Sequence, residues 1–598
     1  MFKVVWGIAL IYPLLLGGIG YLLFKIKPVQ VVLKNQWKSI LIFTLFIIVF
    51  LDGYTIWHMH QEHFIYYWDF SGFWKRSLEL NRLLLSNPSQ LFSYIYHTIN
   101  TEEYSSLPQF FLIFHTLIIG NTYPRFILAM VNSFLIPSQI LYYIFILVWL
   151  DKVQIKIKYQ NLLIAGILIF FTGNYLPLML GYIASCGLII LSILGILWLS
   201  YDYTKVHFYT SILIGSMLVI LVFLRRWFAY FVVSYFVMIP ISYLIYQITL
   251  RKIDRKSFFN LCLNLFISGS FALLILLLGF QSIVSTFTNT NYAFAYQSVK
   301  YSGLAYAGQW FVGFYGWFQT FLILIGLLWG LKKVKTRLMI LFCSSSIVFI
   351  VVLFYQVQVF GTHHYALINS LVLVLMIFGA LSLIGWFQAK QRLAIILGFI
   401  LLLLINFLSV FLPRKDNLLT SFIQSFKPIN THLYAPPRIN PNVEILKDIT
   451  TYLSENAKPY EYIYVLAGSN NISDDILRNA FLPEILEPLP TIESTKQLDT
   501  RDGIPKQFFN YTYLVIAQPI QTHNGADYQK VLTILNDAII NDTELIPYYF
   551  LEKEYSLEEG IQVSIYRRIE DIPQSIRQKY RDLFKSLYPD YPFLYEFE

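Results

Sequence analysis

The chain has 598 residues, 57% of them hydrophobic and only 13% charged, with a formal net charge of +9. Soluble domains carry about 25% charged residues, so disorder, collagen, a coiled coil and an ordinary cytosolic enzyme are excluded and a multi-pass membrane protein remains. The charge is also split: residues 1–412 hold 26 Lys and Arg against 9 Asp and Glu, whereas residues 413–598 hold 18 against 26.

The basic part reads as a membrane domain and the acidic part as a soluble one. No basic stripe interleaves with aromatic residues on a soluble surface, which argues against a nucleic-acid partner. Cys186, Cys262 and Cys343 lie in apolar segments, with no spacing of a disulfide framework or zinc site. Aromatic residues make up 18%, which suits long helices with wet ends.

In chain order, apolar runs of roughly 17–25 residues place twelve spans near 4–24, 39–57, 126–150, 160–177, 181–200, 208–224, 227–249, 258–280, 310–331, 338–356, 365–388 and 392–412. Residues 1–24 lack a cleavage site of small residues, so a retained helix is expected rather than a signal peptide. Residues 107–120, LPQFFLIFHTLIIG, are apolar but short, and are expected to lie at the interface or dip in.

Orientation follows from Lys and Arg in the short loops. One set of alternate loops carries 18 of them and the other carries 7. The richer set is taken as cytoplasmic. Loop 58–125, loop 281–309, segment 357–364 and the tail then lie outside. Were 107–120 a span, every later loop would change sides and the bias would be lost.

Of the nine acidic residues in the membrane half, Asp151, Asp202 and Asp254 sit in cytoplasmic loops, and the other six fall within 52–103. No later span carries an acid at its middle, which weighs against proton- or sodium-coupled transport. In the first outside loop, HQEHFIYYWDFSGFWKRSLEL, Asp69 is flanked by Trp68, Phe70, Phe73 and Trp74. Half-buried among rings, its pKa should rise toward that of a useful general base. Asp is also a favoured helix cap, here for a helix beginning near Gly72, and the two roles can coexist. Further on, Glu102 and Glu103 precede Tyr104 and Pro108 in TEEYSSLPQFF, a segment that reads equally as a solvated turn.

These elements together resemble the GT-C class of membrane glycosyltransferases, especially bacterial members that decorate cell-wall or surface polysaccharides. They are a long first outside loop, an acid just beyond a helix, a second acid near Tyr104-Ser105-Ser106-Leu107-Pro108, and an interfacial helix. Arg225-Arg226-Trp227-Phe228-Ala229-Tyr230 and His363-His364-Tyr365, at outside helix ends, fit the same group. The Tyr-Ser-Ser-Leu-Pro form departs from the family's frequent Tyr-Pro-Pro, and the extra helix before the loop departs from its common layout. The resemblance implies a polytopic, GT-C-like helical fold of about twelve spans, a polyprenyl-phosphate-linked sugar donor, and a polysaccharide or glycan acceptor. It implies Asp69 as base with Glu102 or Glu103 as second acid; direct in-line displacement would invert the anomeric carbon.

Arg225 and Arg226 lie where a donor phosphate would sit and can bind it in a bidentate way. Snorkelling at the interface is the alternative for them. Arg125 and Lys300 are further outside cations. Tyr104, His363, His364 and Lys300 are candidate substrate contacts. A His pair lacks a metal-ligand set, and a divalent cation such as Mg2+ or Mn2+ is left open as a cofactor.

The expected organisation is a membrane domain over 1–412, with the first outside loop at 58–125, a linker over 413–440 and an extracytoplasmic α/β domain over 441–598. In that last part EILKDITTYLSENA and YQKVLTILNDAII read as helices. YEYIYVLAGS, YTYLVIAQP and IQVSIYRRI read as strands. The lone glycine of Gly468-Ser469-Asn470-Asn471 makes no nucleotide motif. Competing functions are a flippase or transporter of lipid-linked glycans and a polysaccharide polymerase or ligase. Only the transferase needs the acid at Asp69.

Overall fold

The structure, a computed structural model, describes residues 2–102, 104–155, 157–171, 174–290, 304–413, 418–426, 429–458, 460–484, 491–541 and 544–596. Glu103 and Lys300, with the Tyr-rich stretch 291–303, fall outside them.

Eleven helices among the described residues are long and apolar enough to cross a membrane, from Lys3–Phe24 to Gln391–Phe411. A twelfth apolar helix, Phe208–Leu224, is 17 residues long. Each of the twelve apolar runs of the sequence is thus mostly helical over its described residues. Residues 107–120 form the short helices Leu107–Phe110 and Ile113–Ile119, neither long enough to span. The chain divides into two units: Met1–His60 with Phe73–Pro437, and Gln61–Gly72 with Arg438–Glu598.

In the first unit, helices Leu304–Lys332 and Ala366–Gly385 meet at Gly326 and Gly379. A Cβ on either would strike the partner's backbone. Small residues at such a crossing let two membrane helices approach, since lipid gives no hydrophobic drive between them. Loops that the charge count assigns to one side bond to one another. Lys335 donates to Gln154 and Lys152 to the Leu199 carbonyl. Arg337 reaches Thr249 Oγ1 at 3.0 Å, and Asn264 reaches the Lys205 carbonyl at 3.1 Å. Residues 431–435 are tied to the helices as well: His432 N–H donates to the Gly313 carbonyl at 2.6 Å and Ala435 N–H to that of Val410 at 2.8 Å.

The second unit is built on a five-stranded sheet. Its strands are β1 (Tyr462–Leu466), β2 (Thr491–Ile492), β3 (Tyr513–Gln518), β4 (Tyr549–Ser556) and β5 (Gln562–Arg568), in the order β2-β1-β3-β5-β4. β1 is parallel to β2 and β3, while β5 is antiparallel to β3 and β4. Alternate side chains feed two cores. Ile463, Val465, Tyr513 and Val515 pack with helix Val443–Asn456 on one face. Tyr464, Leu466, Leu514 and Ile516 pack with helices Lys530–Asn541 and Gln574–Leu587 on the other. The three strands and two helices expected from the sequence are present. β2, β4 and the C-terminal helix are among the additions.

The first core also takes in Ile65 and Tyr67, with Phe64, Trp68 and Phe70 against it. His63 pairs with this unit's backbone, donating to the Arg438 carbonyl at 2.9 Å and accepting from Asn440 N–H at 2.8 Å. The aromatic run before Asp69 is thus core material of the C-terminal unit.

Candidate functional site

In the first unit the site is built around Arg225. Helix Phe208–Leu224 ends at Arg225, whose extended backbone turns the chain into the short helix Arg226–Phe228. The side chain is 6% exposed. Its guanidinium carbon lies 4.7 Å from the ring centres of both Phe73 and Tyr104 and 5.8 Å from that of Trp227. Such cation–π contacts offset part of the cost of burying a charge. They give the N–H groups no lone pair, however, and Nε and Nη1 have no hydrogen-bond partner among the described residues. A cleft beside it is lined by Ile99, Tyr104, Ser105, Val222, Arg225 and Arg226.

The neighbouring arginine is placed differently. Arg226 donates to the Glu102 carbonyl and so holds the loop that carries Tyr104. The Glu102 carboxylate pairs with Arg76 at 2.5 Å. Ser105 Oγ donates to the Phe223 carbonyl at 2.6 Å, which pins the same loop to the end of the preceding helix. The sequence did not distinguish the two arginines, and nothing local in it marks Arg76 as the partner of Glu102.

His364 is buried, with Nδ1 accepting the Gly361 N–H at 2.9 Å, so a neutral ring carries its proton on Nε2. Its ring stands 6.0 Å from that of Trp227. His363 is half-buried and stacks on Tyr182 at 4.4 Å. Arg125 is exposed and folds back over Gly120, where a Cβ would strike its guanidinium. Among the described residues, no group of three or more His, Cys, Asp or Glu is placed to hold a metal ion.

Asp69 belongs to the second unit and is half-buried. It lies in the first turn of helix Asp69–Ser86, not before a helix starting near Gly72, so the capping alternative is corrected. Trp68, just ahead of it, has φ +48°, a left-handed conformation uncommon for a bulky residue. The carboxylate at this turn is Asp475: its Oδ2 accepts the Trp68 N–H at 2.5 Å and lies 3.4 Å from Ser71 Oγ. The Trp68 ring rests on His523 at 4.1 Å. His523 belongs to AQPIQTHNG, a segment whose role the sequence does not reveal. Its loop is held by Gln529, whose Oε1 accepts the backbone N–H groups of His523 and Asn524 at 3.0 Å each.

The chain matches no protein-family model and no curated protein sequence. Among solved structures it is similar to ArnT from Cupriavidus metallidurans in the apo state, at 8% identity over 87% of this chain and 97% of that one, with a TM-score of 0.45. It is likewise similar to ArnT from the same organism bound to undecaprenyl phosphate, at 9% identity over 89% and 99%, TM-score 0.45. By its own helices and sheet, the chain is a multi-pass α-helical membrane protein carrying a C-terminal α/β unit.

Proposed function

We propose that the chain is a membrane glycosyltransferase that moves a sugar from a polyprenyl-phosphate-linked donor to a cell-wall or surface glycan on the outer face of the membrane. The observation that carries this reading is Arg225: a buried guanidinium caged by three rings, with two nitrogens lacking an acceptor among the described residues. A buried charge normally has a partner, and a phosphate oxygen supplies one.

In the proposed reaction an acceptor hydroxyl attacks the anomeric carbon while Asp69 takes its proton. The new C–O bond forms as the bond from that carbon to the phosphate oxygen breaks, and the electron pair leaves with the phosphate. The polyprenyl phosphate gains one negative charge as it departs. Arg225 therefore interacts more strongly with the transition state than with the donor, which is what lowers a barrier. Attack opposite the leaving group inverts the anomeric centre. Glu102, paired with Arg76, or Glu103 serves as the second acid in this reading.

The test is Asp69→Asn, which keeps the side chain's shape and removes its basicity. In a strain lacking the gene, complemented with this variant, mass spectrometry should show surface glycan modification slowed about 10²–10⁴-fold, with the protein inserted at normal level. A flippase would tolerate the change. Modification at the wild-type rate would overturn Asp69 as the base.

A further inference from the structure

We propose that Asp475 and Asn479 of the C-terminal unit are positioning residues for Asp69, so that this unit completes the catalytic loop. The inference rests on Asp69 being the base, and deepens that reading by giving the soluble unit a part in the reaction.

The geometry lies wholly within the second unit. Asp475 and Asn479 are 8% and 4% exposed. Asp475 Oδ2 accepts from Trp68 N–H at 2.5 Å and from Asn479 Nδ2 at 3.1 Å. Asn479 Nδ2 also lies 2.7 Å from the Tyr66 carbonyl and 3.1 Å from Ser71 Oγ. Ser71 is itself fully buried. These two side chains, some four hundred positions later in the chain, thus hold the backbone before Asp69 and the Ser71 hydroxyl after it.

The grip falls where the backbone is least at ease. Trp68 holds a left-handed φ of +48°, which a bulky residue keeps only when its surroundings over-determine it. The peptide between Trp68 and Asp69 sets where the Asp69 carboxylate points. Relaxing Trp68 to an ordinary conformation would swing that carboxylate away. The Trp68 carbonyl accepts from Ser71 and Gly72 N–H at 3.1 and 2.8 Å, but those bonds belong to the helix start, and only Asp475 is shown holding the Trp68 N–H. Asp475 is placed in turn by the helix Asp474–Arg478, capped by Ser473 Oγ on Ile476 N–H at 3.3 Å. A general base displaced by about 1 Å loses on the order of 100-fold in rate, so a side chain that never touches substrate can still govern turnover.

The experiment uses the full-length chain in four variants at matched membrane level: Asp475→Ala, Asp475→Asn, Asp69→Asn and the Asp69→Asn/Asp475→Ala double. Initial rates of glycan modification are read in the complemented strain, and affinity for undecaprenyl phosphate is measured on each purified protein. Asp475→Ala should slow modification about 10- to 100-fold. Asp475→Asn, which keeps an acceptor oxygen, should recover most of the rate. The double variant should be no slower than Asp69→Asn, and undecaprenyl phosphate affinity should hold throughout. A wild-type rate for Asp475→Ala beside an inactive Asp69→Asn overturns the positioning role alone. An active Asp69→Asn overturns the reading beneath it. Loss of undecaprenyl phosphate affinity or of melting temperature in step with rate, in both Asp475 variants, assigns Asp475 to folding instead.

Discussion

Arg225 in the first unit and Arg438 in the second sit in the same kind of cage. Arg225 has Phe73, Tyr104 and Trp227 around it, at 4.7, 4.7 and 5.8 Å. Arg438 has Phe64, Tyr66 and Phe70, at 5.3, 5.0 and 5.0 Å. They differ in what meets their N–H donors. Arg438 faces Glu62 in a two-pronged pair, Nε to Oε1 at 2.9 Å and Nη2 to Oε2 at 3.1 Å, with its own backbone N–H on Oε1 at 3.2 Å. For Nε and Nη1 of Arg225 no acceptor is present among the described residues. Rings can shelter a guanidinium but cannot accept its in-plane hydrogens. Within the fold a carboxylate meets the Arg438 guanidinium; in the proposed function a donor phosphate meets that of Arg225.

The largest effect expected from this contrast is on stability. The Glu62 side chain is 1% exposed and that of Arg438 14%, so Glu62→Ala leaves a buried cation uncompensated. Breaking such a pair costs about 3–5 kcal/mol. Thermal melting and proteolysis of the C-terminal unit should show it, and an unchanged melting profile would remove the contrast.

Arg225→Ala should do the opposite. Melting should be unaffected or slightly improved, because an unpaired buried charge is gone. Binding of undecaprenyl phosphate should weaken by about 1.5–3 kcal/mol, the worth of a charged hydrogen bond. Arg225→Lys should recover only part, since the planar fork is lost. Arg226→Ala removes a bond to the Glu102 carbonyl and should weaken binding less. Equal affinity in wild type and Arg225→Ala would return this cage to a structural role.

A smaller effect tests whether burial alone can govern a charge in the second unit. Burial pushes the Asp499 carboxyl up to about 6, although the Tyr588 hydroxyl and Val531 N–H bond to it. Between the ordinary carboxylate value and about 6 the folded chain holds a proton that the unfolded chain has released. Stability from this group is thus full at low pH and falls as pH rises through the window, by about 1.4 kcal/mol per pH unit. Asp499→Asn should gain about 2 kcal/mol on the wild type between pH 4.5 and 7.5 in urea unfolding. A constant difference would mean that the hydrogen bonds hold the carboxylate charged.

The membrane helices were legible because hydropathy is a local property: a run of apolar residues must be a helix to satisfy its backbone in lipid. Lys and Arg counts divide the loops into two classes, and some loops of the richer class bond to one another. The strands Tyr462–Leu466, Tyr513–Gln518 and Gln562–Arg568 showed themselves by apolar content. β4, FLEKEYS after Tyr549, did not. It is an edge strand with mostly exposed side chains, and charged residues there keep an edge from pairing with other chains.

The sequence by itself determined that the chain crosses the membrane many times, that an acidic α/β unit follows, and that it carries an acid in an aromatic run and an arginine doublet. Only the tertiary structure decided what those residues are for. It spends the aromatic run on the C-terminal core and gives the turn before Asp69 a carboxylate from Asp475. It also separates Arg225, buried without an acceptor among the described residues, from Arg226, engaged by a backbone carbonyl. The reason is the range of the forces. Helix formation in lipid is settled within some twenty residues, whereas the partner of a buried charge is fixed by packing between segments hundreds of residues apart.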